Sequence, residues 1–322
     1  MTTIDATTRP ELLETSDAGI EKAVADADVM VLRGLLYLLT SDAELETMAT
    51  KTVAYGQMDA IVPASDEESA MVRRKAVDFL KAYRDRGAPP LGYGDPDHVR
   101  KSIELVLAGT IPEEDVRMAT EELALDPWAR SLEWQSAPDP ERLRNFSATI
   151  IGTGMGGLNA ALQFKRAGIT YTVYEKNSGV GGTWFENRYP GARVDGSSRT
   201  YSHLFGVDFP CPYNYAPQDR NQAYFDWVAD EFGLRDEIIF NTEVTALTWH
   251  EEDAQWEVET LGPKGKATHR SDAVITSVGF LNRPNIPNIP GADTFEGPSW
   301  HTVRWPDGAD LSNKRVAVAG TG

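Results

Sequence analysis

Hydrophobic positions in the first 143 residues recur with the spacing of helices, and strand signals are few. One broad apolar stripe consists of Ile20, Val24, Val31, Leu32, Leu35, Leu36 and Leu39. Amphipathic segments at 67–87, 96–109 and 112–125 predict further helices, and the proline-containing segment 135–143 predicts a linker. We therefore expect residues 1–143 to form an all-α N-terminal extension.

From Phe146 onwards the pattern changes to one of strands and helices in alternation. An apolar strand at 148–152, a helix at 157–168 and a strand at 170–176 begin a βαβ unit. Alternating segments at 243–249 and 255–260 predict hairpin strands, and 272–279 predicts a buried strand. The fold class is therefore α/β, with a Rossmann-type domain at 144–310 that has a parallel sheet and a β-hairpin or meander insertion.

Charge and composition narrow the possible partners. The chain has 322 residues and a net charge of −18, which argues against nucleic acid or an anionic membrane as a partner. Residues 1–142 contain 28 acidic and 15 basic residues, giving −13, so the extension is the more acidic part. Cys211 is the only cysteine, which excludes an intrachain disulfide and fits a cytoplasmic setting. No signal peptide and no metal site are predicted.

The glycines that follow the first strand carry the first sign of chemistry. Gly152, Gly154 and Gly157 form a G-x-G-x-x-G motif between a strand and a helix. The first glycine permits the tight turn, the second lets the backbone approach a pyrophosphate, and the third lets the helix pack on the strand. Glu175 ends the second strand, where a carboxylate accepts from ribose hydroxyls. FAD and NAD remain open, as does an unrelated glycine turn.

The segment 181–195 favours a flavin over a nicotinamide. Its sequence, GGTWFENRYPGARVD, combines paired glycines, an aromatic cluster that includes Trp184, a Pro190–Gly191 turn and Asp195. Flat aromatic side chains and backbone amides suit an isoalloxazine ring. A loop that only packs the core, anchored by Trp184, is the alternative for this segment.

Two patterns resemble those of the class B flavin monooxygenases, and within them the Baeyer–Villiger monooxygenases. The flavin-side motif of that family is matched by Gly181, Gly182, Trp184, Tyr189, Pro190, Gly191 and Asp195. The linker fingerprint of the family is matched in FEGPSWHTVRWP by Phe295, Gly297, His301, Thr302, Trp305 and Pro306. The acidic extension resembles that of 4-hydroxyacetophenone monooxygenase-type members in size and helical character.

The resemblance implies an FAD-dependent, NADPH-consuming enzyme. Such an enzyme inserts one oxygen atom from O2 next to a ketone carbonyl, giving an ester or a lactone. It implies that Asp195 lies beside the flavin and orients an active-site arginine, which matches no position of this sequence. It also implies a hinge or domain-coupling role for the linker fingerprint. The implied FAD contacts are Gly152, Gly154, Gly157, Glu175, Gly182, Thr183, Trp184, Asp195, Tyr201 and Val244.

The last residues predict the beginning of a second dinucleotide motif. The apolar run 316–319 predicts a strand, followed by Gly320 and Gly322. We expect residues 311–322 to begin a truncated NADPH-binding domain, so that the chain is an N-terminal portion of the enzyme. A homodimer formed through the extension and an aryl ketone substrate are further expectations.

Two other functions remain open. The first is an N- or S-oxygenating flavin monooxygenase, against which the Trp305–Pro306 ending of the fingerprint weighs. The second is a non-catalytic module that binds FAD or mediates assembly.

Overall fold

The computed structural model describes residues 10–56, 58–280 and 283–320. These residues form two compact units, one extending to Ala129 and one beginning at Arg130. Within the described residues, no helix is both long enough and apolar enough to cross a bilayer.

The first unit is mostly helical, as expected. Its helices are α1 (Pro10–Glu14), α2 (Asp17–Asp26), α3 (Val29–Thr40), α4 (Ala43–Thr47), α5 (Asp66–Asp85), α6 (Pro96–Leu107) and α7 (Glu113–Glu122). Polar residues fix where several of them begin. The Ser65 hydroxyl accepts from a backbone N–H in the first turn of α5, and Asp95 does the same for α6.

Two strands interrupt these helices, so the predicted all-α extension needs a correction. Strand β1 (Thr50–Tyr55) pairs antiparallel with β2 (Met58–Pro63), with Val53 opposite Ala60. The sequence of β1, TKTVAY, lacks a strict alternation of polar and apolar residues, which is the signal that identifies a half-buried strand. The hairpin is therefore defined by backbone pairing that the side-chain pattern does not reveal.

The apolar stripe predicted over residues 20–39 is divided between α2 and α3. Asp28 separates them, because its carboxylate accepts from the first backbone N–H groups of α3. Because α3 is a new helix, the helical spacing of the stripe does not continue from α2 into α3. Val31 and Leu35 are about half exposed. The core of the unit comprises Ile20, Val24, Met30, Leu32, Leu36, Leu45, Met48, Val72 and Ala76.

A buried arginine on α3 joins three helices of this unit. The Arg33 side chain, 4% exposed, donates to the backbone oxygens of Leu45 (2.8 Å), Glu46 (3.2 Å), Met48 (3.4 Å) and Leu105 (3.2 Å). These carbonyls lie at the C-terminal ends of α4 and α6, where helices carry partial negative charge. Burial lowers the pKa of the guanidinium, and the four carbonyls compensate for its lost hydration.

The second unit contains the α/β fold. Its helices are α8 (Pro140–Asn145), α9 (Met155–Ala167), α10 (Thr183–Glu186) and α11 (Gln218–Glu231). Its strands are β3 (Ser147–Ile151), β4 (Thr170–Tyr174), β5 (Ile238–Ile239), β6 (Glu243–His250), β7 (Gln255–Gly262), β8 (Gly265–Ser271) and β9 (Ala273–Thr276). Short 3-10 turns occur at Leu204–Gly206, Arg235–Glu237, Ala292–Thr294 and Thr302–Arg304.

The predicted parallel sheet and its insertion are both confirmed. The sheet has the order β5-β4-β3-β9, and all its neighbouring strands are parallel. In its centre Ile150, fully buried, lies between Val173 and Ile275. Strands β6, β7 and β8 form a separate antiparallel meander. The unit is thus Rossmann-type, with the carboxyl ends of β3, β4 and β9 at one edge.

The residues that directly precede the predicted linker at 135–143 are joined to α9 by two hydrogen bonds. The backbone N–H of Leu132 donates to Gln163 Oε1 (2.9 Å), and the indole of Trp134 donates to the Ala167 carbonyl (3.2 Å). Both acceptors belong to the second unit. The compact units therefore divide after Ala129, and the division into functional domains at residue 143 stays a prediction.

The strand predicted at 316–319 is not formed within the described part of the chain. Val316 and Val318 are 54% and 77% exposed. A strand needs a neighbouring segment to satisfy its backbone N–H and C=O groups, and no described segment pairs with this one. Gly320 adopts a positive φ of 108°, and Gly322 lies outside the described residues.

Replacing Arg33 should destabilise the first unit. Arg33→Met removes the guanidinium donors of four carbonyls while keeping much of the apolar stem, so we expect a loss of about 3 kcal/mol in unfolding free energy. Urea denaturation followed by circular dichroism measures it. Arg74→Met, at an exposed position of α5, is the matched control and should change stability by less than about 0.5 kcal/mol. Equal effects of the two substitutions would contradict the role given to Arg33.

Candidate functional site

The turn after β3 depends on two glycines. Gly152 has a φ of 96°, and a Cβ there would lie 2.7 Å from the Ser277 carbonyl after β9. A Cβ on Gly157 would lie 1.9 Å from the Gly152 carbonyl, closer than any packing allows. The first and third glycines of the motif are therefore required by the fold. Ser277, on the neighbouring strand end, is a constraint that the sequence pattern did not reveal.

Gly154 differs from its neighbours because neither backbone nor packing requires a glycine there. Its φ is −74°, and a Cβ would meet its nearest neighbour, the Cα of Gly182, at 3.7 Å, an ordinary contact. It stands at the N-cap of α9, whose start receives no side-chain cap from the described part of the chain. The first backbone N–H groups of α9 therefore have the arrangement that binds anions at helix N-termini, and Gly154 places no side chain in front of them.

The two glycine motifs meet at this point. Gly182 has a φ of 55°, and a Cβ on it would lie 2.9 Å from the Cα of Gly154. The backbone N–H of Gly181 donates to the Thr153 carbonyl at 3.0 Å. The structure thus brings the phosphate-type turn and the flavin-type turn, both predicted from sequence, into direct backbone contact.

Glu175 lies at the end of β4, beside the first turn. Its Oε2 accepts from the Thr153 backbone N–H (2.9 Å) and hydroxyl (2.7 Å), and its Oε1 accepts from the Asn177 N–H (2.8 Å). The side chain is 3% exposed, so its orientation is fixed. Its carbonyl accepts from Thr242 N–H at 2.8 Å, two residues before Val244 at the beginning of β6. Val244, near the start of β6, is therefore only two residues from the hydrogen bond that joins this segment to Glu175.

The aromatic part of the flavin-side segment is anchored by one hydrogen bond. Trp184 is buried on α10, and its indole N–H donates to the Tyr201 hydroxyl at 3.0 Å. The two rings meet edge to face, with centroids 5.9 Å apart. Thr183 begins α10, and both Thr183 and Asp195 are exposed. The contacts predicted for these residues toward a cofactor stay predictions.

A buried histidine that was not predicted from the sequence connects the start of α9 with α11. His203 Nε2 lies 2.9 Å from the Met155 carbonyl at the start of α9, and Nδ1 lies 2.7 Å from the Tyr224 hydroxyl on α11. Its ring stacks on Phe205. Burial lowers the pKa of His203, so the ring is neutral, with Nε2 donating and Nδ1 accepting. No motif signalled it, because its partners are 48 and 21 residues away.

The linker fingerprint forms a compact turn. His301 precedes the 3-10 turn at Thr302–Arg304, and its Nδ1 accepts from the Val303 N–H at 3.2 Å. Trp305 packs edge to face against Trp300, with centroids 5.5 Å apart. The other fingerprint residues that precede this turn are Phe295, which is 65% exposed, and Gly297, whose position lies against the Phe295 ring. The Pro306 carbonyl accepts from the Ala309 N–H.

One carboxylate joins the fingerprint to the flavin-side segment. Glu186, at the end of α10, accepts from Lys176 (2.8 Å) and Asn177 (3.1 Å) at Oε1, and from Arg304 (3.1 Å) at Oε2. Burial raises the pKa of Glu186, but the bonds from Lys176, Asn177 and Arg304 outweigh it and hold the pKa below its usual range. Glu186 is therefore ionised. Neither Glu186 nor Arg304 was predicted as a site residue.

Comparison with known proteins identifies the family. The model of the flavin-binding monooxygenase-like family matches residues 146–322, which is more than half of the chain. The chain belongs to the flavin-binding monooxygenase-like family. The matched region contains β3, the glycine turns, Glu175 and the linker fingerprint, so the match to the family model covers the whole site described above.

Relatives of this flavin-binding monooxygenase-like chain carry related names. A Baeyer-Villiger monooxygenase from Streptomyces coelicolor is 42% identical over 174 residues, which are 54% of this chain and 33% of that protein. An uncharacterized monooxygenase from Sinorhizobium fredii is 30% identical over 94% of this chain and 45% of its own length. The solved structure of OTEMO with FAD and NADP is 34% identical, covering 55% of this chain and 35% of OTEMO, with a TM-score of 0.51. The chain thus spans a third to less than half of these proteins.

Removing the His203 ring nitrogens should destabilise the second unit. His203→Phe keeps a flat ring against Phe205 but removes the ring donor of the Met155 carbonyl and the ring acceptor of the Tyr224 hydroxyl, which then retains the backbone N–H of residue 203. The two lost hydrogen bonds should cost about 2 kcal/mol of unfolding free energy. Urea denaturation at about pH 7.5 measures this difference.

The same pair of proteins gives a pH test. Because the folded-state pKa of His203 lies below 6.5, the unfolded chain binds more protons, and stability due to this group is lost as pH falls from about 6.5 toward the folded pKa. The stability difference between wild type and His203→Phe should therefore shrink at about pH 5.5. A difference that grows on acidification would refute a neutral buried His203.

Proposed function

We propose that the second unit binds FAD across the two glycine turns. The start of α9 and Gly154 would hold the pyrophosphate, and Glu175 would accept from the ribose hydroxyls of the adenosine. Gly182, Thr183 and Trp184 would lie along the flavin side, and Val244 beside the adenine. The complex of OTEMO with FAD and NADP, a structural neighbour, supports this choice of cofactor.

The observation that carries the proposal is the glycine at position 154. The fold would accept a larger residue there, since the φ is −74° and the nearest atom to a Cβ would be 3.7 Å away. The adjacent N–H groups of α9 receive no side-chain cap within the described residues. A glycine without a structural requirement, beside uncapped donors, fits a site that a bound phosphate group approaches closely.

We propose that the activity is Baeyer–Villiger oxidation with NADPH and O2. The names of relatives such as the Baeyer-Villiger monooxygenase of Streptomyces coelicolor support this reaction, in which a ketone gives an ester or a lactone. Bound FAD supplies the redox and oxygen-transfer chemistry. Since the chain spans 33% of that relative, we propose that it provides the FAD-binding part of the enzyme.

The residues of this chain would orient the cofactor and limit access of water. Trp184 and Tyr201 are joined by a hydrogen bond from the indole N–H to the hydroxyl, which fixes both aromatic side chains next to the second glycine turn. Asp195, exposed on the same segment, would hold an active-site arginine through its carboxylate. His301 caps the fingerprint turn, which makes its role one of positioning.

Finer assignments extend the same proposal. We propose that the protein belongs to the 4-hydroxyacetophenone monooxygenase-like branch, acts on an aryl ketone and forms a homodimer through its first unit. The acidic helical first unit supports the branch, as does the relative from Sinorhizobium fredii, whose match covers 94% of the chain. A cytoplasmic location is the setting that the single cysteine favours.

FAD binding is tested by two glycine substitutions. Gly154→Ala should leave the melting temperature unchanged but weaken FAD binding by at least about 10-fold, because the methyl group would separate the pyrophosphate from the backbone. Gly92→Ala, in the first unit, where an added Cβ would meet no atom within 4 Å, is the control and should bind FAD as wild type does. Fluorescence titration with FAD measures both. A colourless wild-type chain that does not bind FAD would refute the proposal.

The reaction class is tested with the enzyme of which we propose this chain to be the FAD-binding part. We expect NADPH oxidation that depends on a ketone, with an ester or lactone as the product, when aryl, alkyl and cyclic ketones are supplied with O2. A thioether supplied in parallel distinguishes the S-oxygenating alternative. Sulfoxide as the sole product would favour that alternative. The absence of ketone-dependent oxidation with all three ketone classes would contradict Baeyer–Villiger activity.

A further inference from the structure

Three separate segments of the second unit meet at the Glu186 carboxylate. The first is the turn after β4, which supplies Lys176 and Asn177. The second is α10, which ends at Glu186 and follows directly from Gly182. The third is the linker fingerprint, which supplies Arg304 from a position 118 residues further along the chain.

The two oxygens of this carboxylate serve different segments. Oε1 accepts from Lys176 and Asn177, whereas Oε2 accepts from Arg304 alone among the hydrogen bonds described. Asn177 also donates its backbone N–H to Glu175, so the adenosine-side carboxylate and Glu186 share one neighbour. A displacement of the fingerprint turn would therefore remove one of the donors that fix Glu186.

The burial of the three charged groups is unequal. The Glu186 side chain is 9% exposed, whereas the side chains of Lys176 and Arg304 are 40% and 53% exposed. A carboxylate shielded from water depends on its donors, and the loss of one cannot be made good by water at the same position. The guanidinium of Arg304, in contrast, is half exposed and therefore loses little hydration when it binds Glu186. The ion pair therefore stabilises the docked linker, by which we mean the fingerprint turn held in contact with α10 through Arg304 and Glu186.

We propose that the Glu186–Arg304 ion pair couples the linker fingerprint to the FAD site. Glu186 is a positioning residue: it holds the turn at Thr302–Arg304 against α10, and α10 carries the backbone of the flavin-side glycines. This inference rests on the proposed FAD site. A cofactor that orders α10 stabilises the docked linker, and by linkage a docked linker strengthens cofactor binding by the same factor.

Hydrogen exchange measured on the full chain tests this coupling. In wild type, saturating FAD should slow amide exchange in the fingerprint turn, where Val303 N–H donates to His301 Nδ1 and Arg304 N–H to the His301 carbonyl. Arg304→Gln should lose that slowing while still binding FAD about 2- to 5-fold more weakly, the range expected for breaking one partly exposed ion pair. Glu186→Gln should behave in the same way if it folds.

Lys176→Gln is the matched control. It also removes a positive charge that contacts Glu186, at Oε1, but it leaves the Arg304 contact at Oε2 intact. It should therefore keep the FAD-dependent protection of the fingerprint turn. The double variant Glu186→Gln/Arg304→Gln should bind FAD no more weakly than the weaker single variant, because one shared contact is removed in each.

The outcomes separate the coupling from the site itself. If wild type does not bind FAD, both the proposed site and the coupling are overturned. If wild type binds FAD but Arg304→Gln keeps full protection of the turn, the site stands and the coupling is overturned. If Lys176→Gln loses the protection as completely as Arg304→Gln, a general charge effect replaces the specific ion pair and the coupling is again overturned.

Discussion

The close approach of Gly157 to the carbonyl of Gly152 is the constraint on which the site depends. No side chain fits between them, since a Cβ would be 1.9 Å from the oxygen. Helix α9 must therefore begin immediately above the end of β3, with its first N–H groups at the edge of the sheet. Gly182 can then come within contact of Gly154, and the second glycine turn is placed by the first. Helix α10, which begins at Thr183, follows directly from this second turn.

Much of this arrangement could be predicted because it is local. The apolar run of β3, the glycine turn and the periodicity of α9 lie within about 20 consecutive residues, and each has a characteristic pattern of residue types. The antiparallel strands around Trp249 and Trp256 were predicted from alternation for the same reason. What these predictions share is a dependence on sequence neighbours.

The features that were missed depend on partners far apart in the chain. His203 contacts Met155 and Tyr224 across 48 and 21 residues, and Glu186 contacts Arg304 across 118. No periodicity records such pairs. The first unit shows a related difference, because the Asp28 carboxylate caps a new helix in the middle of the predicted stripe, and Val31 is 53% exposed although Leu32 and Leu36 are in the core. Packing and long-range hydrogen bonds, rather than local propensity, determine these details.

The fixed carboxylate of Glu175 has a consequence for the energetics of recognition. Thr153 and Asn177 already hold both of its oxygens in one rotamer, so a ligand hydroxyl that binds there meets an acceptor that has no torsional freedom left to lose. Ordering a flexible glutamate on binding costs about 0.5–1.5 kcal/mol. Here that entropy was lost when the chain folded. Part of the affinity that we propose for a ribose diol at Glu175 would therefore be set by the stability of the turn after β4.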